Sequence, residues 1–313
     1  MLGYTEKEIK HHFSDHLKKA ARVQKMTVPE VVKEILKHYD GYCFDKTGVE
    51  HVCCPWAVMR FLQMPANGFE NYWYNSSGQP RALLNYIMTT PFRLPETFDS
   101  DLMLDEQSLY DMRPYSQQQS VVMLYQNGYL TIKKPATDGT LTLGYPNQEV
   151  KASLSKLYIN AALRSDLSCL DQLESVSLAL STYDATRIVD FLNRFFNTID
   201  YEHFPLKDEG AVRGIVQAFI QGAGIRAVSE KHSSKGRSDL EVFLANRRVV
   251  FEFKYSRRPE EEAALLKEAV EQILSKQYGY DLDSRPLLRI ALIFSAADRR
   301  LTRFQEVPSS QQI

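Results

Sequence analysis

The chain has 313 residues, 44% hydrophobic and 25% charged, and its 38 Lys and Arg nearly balance 39 Asp and Glu. At roughly 150 residues per domain this allows two domains, each able to bury a core without disulfide staples. The charge balance excludes nucleic-acid binding by bulk positive charge, though not by a local basic cleft. An aromatic content of 11% argues against disorder. No run approaches the roughly 18 consecutive apolar residues of a membrane span. The charged opening MLGYTEKEIKHHF also lacks the apolar stretch of a signal peptide. A soluble, cytoplasmic protein with no membrane partner is expected.

The cysteines fit that compartment. Cys43, Cys53, Cys54 and Cys169 form no CxxC pair, so they read as buried free thiols. HVCC (51–54) has poor spacing for zinc. His11, His12 and His16 read as a solvated helix face.

In chain order, Thr5 with Glu8 predicts a capping-box helix start. Thr27, with Pro29 in the first turn, predicts a second helix carrying the stripe Val31, Val32, Ile35, Leu36 and Tyr39. YDGYCF (39–44) ends it, and helical segments continue to about 113. Residues 116–150 predict a short helix and two alternating runs joined by a TDGT turn. This is a winged-helix-like pattern spanning about 105–150. Lys133 and Lys134 lie near its tip, and a docking role is preferred to DNA binding. Residues 150–200 read as helical, and TIDYEHFPLKD (198–208) as a boundary. Two domains follow: 1–200, mainly helical, and 201–313.

From 205 the pattern becomes mixed. A helix is expected over 207–222, with stripe Val212, Ile215, Val216 and Phe219. Strands follow near 225–230, 239–244 and 248–255, then a helix from Pro259 to Tyr278 and a strand over 289–295. This α-β-β-β-α-β order predicts a compact α/β domain with a mixed central sheet.

The chemistry concentrates there. In VVFEFKYS (249–256) alternation puts Phe251 and Phe253 on one strand face and Glu252 and Lys254 on the other. Charges on a strand that otherwise reads as core need a partner or a metal. Asp239 follows a glycine-containing loop at the mouth of the preceding strand. Glu209 lines up with the apolar stripe of its helix, and Gln272 lies near the buried face of its own.

At these residues the sequence resembles the PD-(D/E)XK nucleases. Their pattern is a helix Glu, an Asp at a strand start, (D/E)xK on the next strand, and often Gln and Tyr on the following helix. Glu209, Asp239, Glu252 with Lys254, and Gln272 with Tyr278 occupy those places. GRSDLEVFL, VVFEFKYS and EAVEQILSKQYGY are similar to the nuclease-like domain of a family of AAA-ATPase-like proteins. HYDGYCF, CCPWAVMRFL, FENYWYNSSG and YQNGYLTI are similar to the C-terminal half of that family's ATPase-like region. Two departures stand out. No GxxxxGK[ST] phosphate loop occurs, so ATP is not expected as a cofactor of this chain alone. The chain then reads as a fragment or a natural short relative. Ser238, not proline, precedes Asp239.

The resemblance implies a restriction-endonuclease-like fold and metal-assisted phosphodiester hydrolysis. Asp239, Glu252 and the Phe253 backbone carbonyl would bind Mg²⁺ or Mn²⁺, with Glu209 as a further ligand. Lys254 would position or deprotonate the attacking water, or neutralise developing charge. Gln272 would act in the site. Tyr278, Lys235 and Arg237 would contact the phosphate backbone, and Arg247, Arg248, Arg257 and Arg258 are further candidates. The partner is nucleic acid, DNA ahead of RNA; self-association stays open. Two alternatives remain at this stage: a non-catalytic module that keeps the fold, and part of an ATP-driven switch.

Overall fold

Backbone capping sets the first elements. The computed structural model describes residues 3–45, 47–73, 81–90, 92–99, 102–110, 119–163, 169–233, 236–279 and 283–308. They divide into two compact units, Met1–Leu157 and Tyr158–Ile313. In the first, α1 (Glu6–His12) and α3 (Val28–Tyr39) both start on capping boxes, Thr5 with Glu8 and Thr27 with Glu30. With α2 (Ser14–Gln24) and α4 (Pro55–Gln63) they enclose a core of Ile9, Leu17, Val32, Ile35, Val58 and Phe61. His11, His12 and His16 are exposed. Cys43 and Cys53 are buried and Cys54 is half-buried; all three are free thiols.

Helix α5 (Arg81–Thr89) precedes β1 (Leu102–Asp105), where the sequence suggests helix. Four residues are too few to show a period of two, and only pairing with a later strand makes β1. After α6 (Ser120–Gln126) come β2 (Thr131–Thr137) and β3 (Thr140–Gly144), giving an antiparallel sheet of order β1-β3-β2. Asp138 and Gly139 take positive φ of 52° and 76°, as the tight hairpin turn requires. Lys133 donates its Nζ proton to the Tyr145 carbonyl at 3.0 Å, which ties it to this sheet.

Helix α7 (Gln148–Ala162) follows. In the second unit, α8 (Cys169–Thr182) and α9 (Ala185–Phe196) lead to α10 (Glu209–Gly222), whose start is capped by Asp208. Then come β4 (Arg226–Ser233), β5 (Gly236–Phe243), β6 (Arg248–Ser256), α11 (Glu262–Ser275), β7 (Leu287–Ser295) and β8 (Arg300–Glu306). The sheet order is β4-β5-β6-β7-β8, with β6 and β7 parallel and the other neighbours antiparallel. The parallel pair is the one joined by a helix, because same-direction strands need a crossover.

Two boundaries differ from the sequence reading. The expected helix from Pro259 begins as a 3₁₀ turn, Pro259–Glu261, and its α-helical part ends at Ser275. Gln277 at φ 51° turns the chain out of helix. Strand β8 adds a fifth strand that the sequence does not announce. It lies at the sheet edge, and mostly polar positions such as Arg303 and Gln305 hide its alternation.

The sheet has two unlike faces. Phe195 of α9 stacks on Phe219 of α10 at 4.0 Å, Phe196 contacts Phe294, and Phe294 stacks on Tyr255. Asn193 exchanges two hydrogen bonds with the Leu301 backbone. Helix α9 thus packs on the sheet and sits in the second unit, although it precedes the linker-like segment 198–208. Opposite, Ala269 and Ile273 of α11 pack with Val250, Ala291 and Tyr278. No helix among the described residues is long and apolar enough to cross a membrane.

Candidate active site

Strand β6 sits second from neither edge and is buried along almost its whole length. Val250, Glu252 and Lys254 alternate onto one face of it, as period two demands. Glu252 is 2% exposed and Lys254 9%.

The last β5–β6 rung pairs Leu240 with Phe251. Just beyond that rung, the Phe253 N–H donates to Asp239 Oδ2 at 2.9 Å. A carboxylate thus takes the place of a backbone rung, and Asp239 is pinned beside Glu252. Glu209 is held from the other side. Asp208 accepts the Ala211 N–H at 2.8 Å, fixing the start of α10, and the Tyr255 hydroxyl donates to the Leu206 carbonyl at 3.0 Å.

These constraints converge on the Lys254 ammonium. It lies 3.5 Å from Glu252 Oε1, 3.7 Å from Glu209 Oε2 and 3.8 Å from Glu268 Oε1. Burial opposes its charge, but Glu209, Glu252, Asp239 and Glu268 together outweigh burial and hold its pKa above the ordinary lysine value. Burial pushes the Glu252 pKa up, the Asp239 charge adds to this, and Lys254 offsets only part. Glu209 is raised as well, by burial first, against the pull of Lys254.

Glu252 Oε2 is buried and accepts no hydrogen bond among the described residues. An orphaned carboxylate oxygen beside a second carboxylate is a costly arrangement for a core and a suitable one for a hard divalent cation. The donor set therefore fits such an ion.

Gln272 lies one turn beyond Glu268 on α11, and its Oε1 is also buried without a hydrogen-bond partner among the described residues. Tyr278 is buried in the cluster with Val250 and Ala269. Lys235 lies outside the described residues, as does the side chain of Arg237, whose backbone belongs to β5.

Two arginines expected among phosphate contacts are structural instead. Arg247 donates to the Leu180 and Tyr183 carbonyls at 2.6 and 2.7 Å, closing the end of α8. Arg248 is buried and pairs with Glu241 at 2.8 Å. Both sit in loop-like sequence, and nothing local reveals the carbonyls or the carboxylate that claim them. Arg257 and Arg258 are exposed.

Sequence reasoning missed two charged groups. Glu268 precedes Gln272 by one turn, so helical spacing was the available signal. Arg213 follows Glu209 by one turn on α10, and its Nη1 lies 3.8 Å from Asp239 Oδ1.

Residues 207–304 match the PD-(D/E)XK nuclease superfamily. The matched span takes in Glu209, Asp239, Glu252, Lys254, Gln272 and Tyr278, and covers less than half of the chain. Members of that superfamily are typically hydrolytic nucleases that use divalent metals, and the mixed five-stranded sheet is consistent with their restriction-endonuclease-like fold. Neither the curated proteins nor the solved structures gave a match.

A separate trio, Asp200, Glu202 and His203, brings its ligand atoms within 4.8 Å of one another. Its geometry has a local origin. Asp200 accepts the Glu202 N–H at 3.1 Å and lies 2.9 Å from His203 Nδ1, which is a side-chain-capped turn.

Proposed function

We propose that this protein is a metal-dependent nuclease that hydrolyses phosphodiester bonds, with DNA preferred over RNA as substrate. The observation that carries this reading is Glu252 Oε2, buried without a hydrogen bond among the described residues and next to Asp239 and Lys254, within a segment matching a nuclease superfamily. Asp239, Glu252 and the Phe253 backbone carbonyl would hold Mg²⁺ or Mn²⁺, with Glu209 as a further oxygen donor. Bound there, the ion would polarise the scissile phosphate and lower the pKa of an attacking water.

The chain's own groups divide the remaining work. Lys254, kept as ammonium by its carboxylates, is suited to neutralise charge developing on the phosphate. It can accept a proton only after those carboxylates are otherwise engaged. Gln272, one turn beyond Glu268 on α11, offers an amide to phosphate or water. Tyr278 supports the site from the core below Val250. Lys235 and Arg237 would contact the backbone and fix register without reading bases. In the same proposal, residues 1–200 are an ATPase-like companion region, with the segment about 105–150 as a winged-helix-like docking element. Residues 201–313 are the nuclease domain.

The test is cleavage of single-stranded and duplex DNA and RNA by the purified chain across a metal panel. Cutting should require Mg²⁺ or Mn²⁺ and stop in EDTA. Unchanged cutting by Asp239→Ala would remove the assigned site.

A further inference from the structure

Arg213 stands beside the proposed chemistry, although nothing in the sequence singles it out. It projects from the second turn of α10, one turn after Glu209, and its side chain is 16% exposed. Its Nη1 lies 3.8 Å from Asp239 Oδ1, an ionic contact beyond hydrogen-bonding distance. The other oxygen of the same carboxylate, Oδ2, is fixed at 2.9 Å by the Phe253 N–H. Oδ1 is the oxygen that faces Arg213, and a metal ion could take it without breaking the backbone contact at Oδ2.

Such a metal would compete directly with the guanidinium for Asp239. A guanidinium displaced from a carboxylate at the edge of a phosphodiester site has an obvious alternative acceptor, because its planar fork of donors matches phosphate oxygens as well as carboxylate. We propose that Arg213 is a substrate-positioning residue that exchanges partners, resting on Asp239 in the metal-free protein and moving to a nucleic-acid phosphate when a divalent cation takes Asp239. This rests on the nuclease reading above and adds a consequence of its own: cation binding and nucleic-acid binding are coupled through this side chain. By linkage each ligand then tightens the other by the same factor.

The competing account is a static clamp, in which Arg213 only holds Asp239 in place. The two differ in sign. If Arg213 exchanges, removing its charge leaves cation affinity unchanged or tighter; if it clamps, cation affinity falls.

The experiment uses the full chain, Arg213→Gln and Arg213→Lys, with thermal unfolding to confirm that each variant folds. Mn²⁺ binding is measured by calorimetry, and binding of a short fluorescent DNA duplex by anisotropy, in EDTA and in the non-catalytic ion Ca²⁺. Wild-type protein should bind the duplex more tightly in Ca²⁺ than in EDTA. Arg213→Gln should bind Mn²⁺ at least as tightly as wild type yet lose about tenfold of the Ca²⁺-dependent gain. Arg213→Lys should restore part of it. Should Arg213→Gln fail to fold, the Lys variant decides, because a retained charge without the fork should keep cation affinity and lose part of the gain.

Weaker Mn²⁺ binding in Arg213→Gln, or a full Ca²⁺-dependent gain in both variants, overturns the exchange while leaving the nuclease reading intact. Wild-type protein with no Mn²⁺ heat and no cation-dependent duplex binding removes both.

Discussion

Each unit buries a glutamate with one orphaned oxygen, and the two differ in what surrounds it. Glu149, in the first turn of α7, accepts the Trp73 N–H at 2.8 Å through Oε1, while Oε2 has no hydrogen-bond partner among the described residues. Burial lifts its pKa to about 8, with the Trp73 and Tyr72 N–H groups pulling the other way. The groups that feel its charge are Tyr39, Tyr42, Tyr72 and Cys54, all ordinarily neutral. Glu252 has the same orphaned oxygen, but its neighbours are Asp239, Glu209 and Lys254. An unpaired buried carboxyl is therefore not by itself a site. Glu149 can relieve its cost by staying protonated. Glu252 sits among further carboxylates and a lysine, where a divalent cation offers another relief.

The largest effect tests the acidic side of that contrast. Asp239→Ala should lower Mg²⁺-dependent cleavage by about 10²–10³-fold or more, measured as initial rates on duplex DNA. Residual activity within tenfold of wild type would mean that the carboxylates do not work together.

Glu252→Gln should abolish the rise in melting temperature that Mn²⁺ gives the wild-type protein. In EDTA the same substitution should stabilise. The folded-state pKa of Glu252 is raised, so wild-type stability falls as pH rises above the usual carboxylate range, and the Gln variant should lose that slope. A variant that still gains stability from Mn²⁺ would move the cation elsewhere, the Asp200 trio being the first place to look.

Glu149→Gln should leave cleavage and Mn²⁺ binding untouched while changing stability with pH. With the folded pKa raised to about 8 from 4.5, wild-type stability should begin to fall above about pH 4.5 and reach its full loss above about pH 8. The Gln variant should lack this fall and be more stable at pH 8.5, by on the order of a few kcal/mol. Chemical denaturation across pH 5–9 reads this directly. A cleavage defect in Glu149→Gln would erase the distinction between the two glutamates.

The smallest effect belongs to Glu268. Its side chain is 57% exposed and its contact with Lys254 is 3.8 Å, so Glu268→Gln should alter cleavage by less than about threefold and stability by under ~1 kcal/mol. A larger loss would place Glu268 inside the working site.

Much of this contrast is legible in sequence and some is not. The strand VVFEFKYS shows by alternation alone that Glu252 and Lys254 share a face. Glu149 gives no such signal, since nothing in QEVKASLSKL marks its second residue as a buried acceptor of the Trp73 N–H. Arg247 and Arg248 look alike in a chain of letters, yet one closes a helix end and the other joins a buried ion pair. Strand β1 exists because β3 supplies its partner, from Leu102↔Leu143 to Asp105↔Thr140.

By itself the sequence determined what neighbours along the chain can settle: the capping box at Thr5, the N-cap at Thr27, the Asp138–Gly139 turn, and the two-faced strand over 248–255. These depend on dihedral preferences and on periods of two and 3.6 residues. Tertiary structure decided which charges meet. Lys254 reaches Glu209 and Glu268, Asp239 takes the Phe253 N–H where β5 stops pairing with β6, and Arg213 rests on Asp239. Such contacts join residues on separate elements, and an ångström or two of register either makes or breaks them. No local pattern encodes that distance, whereas the packing of α10 and α11 around one sheet fixes it.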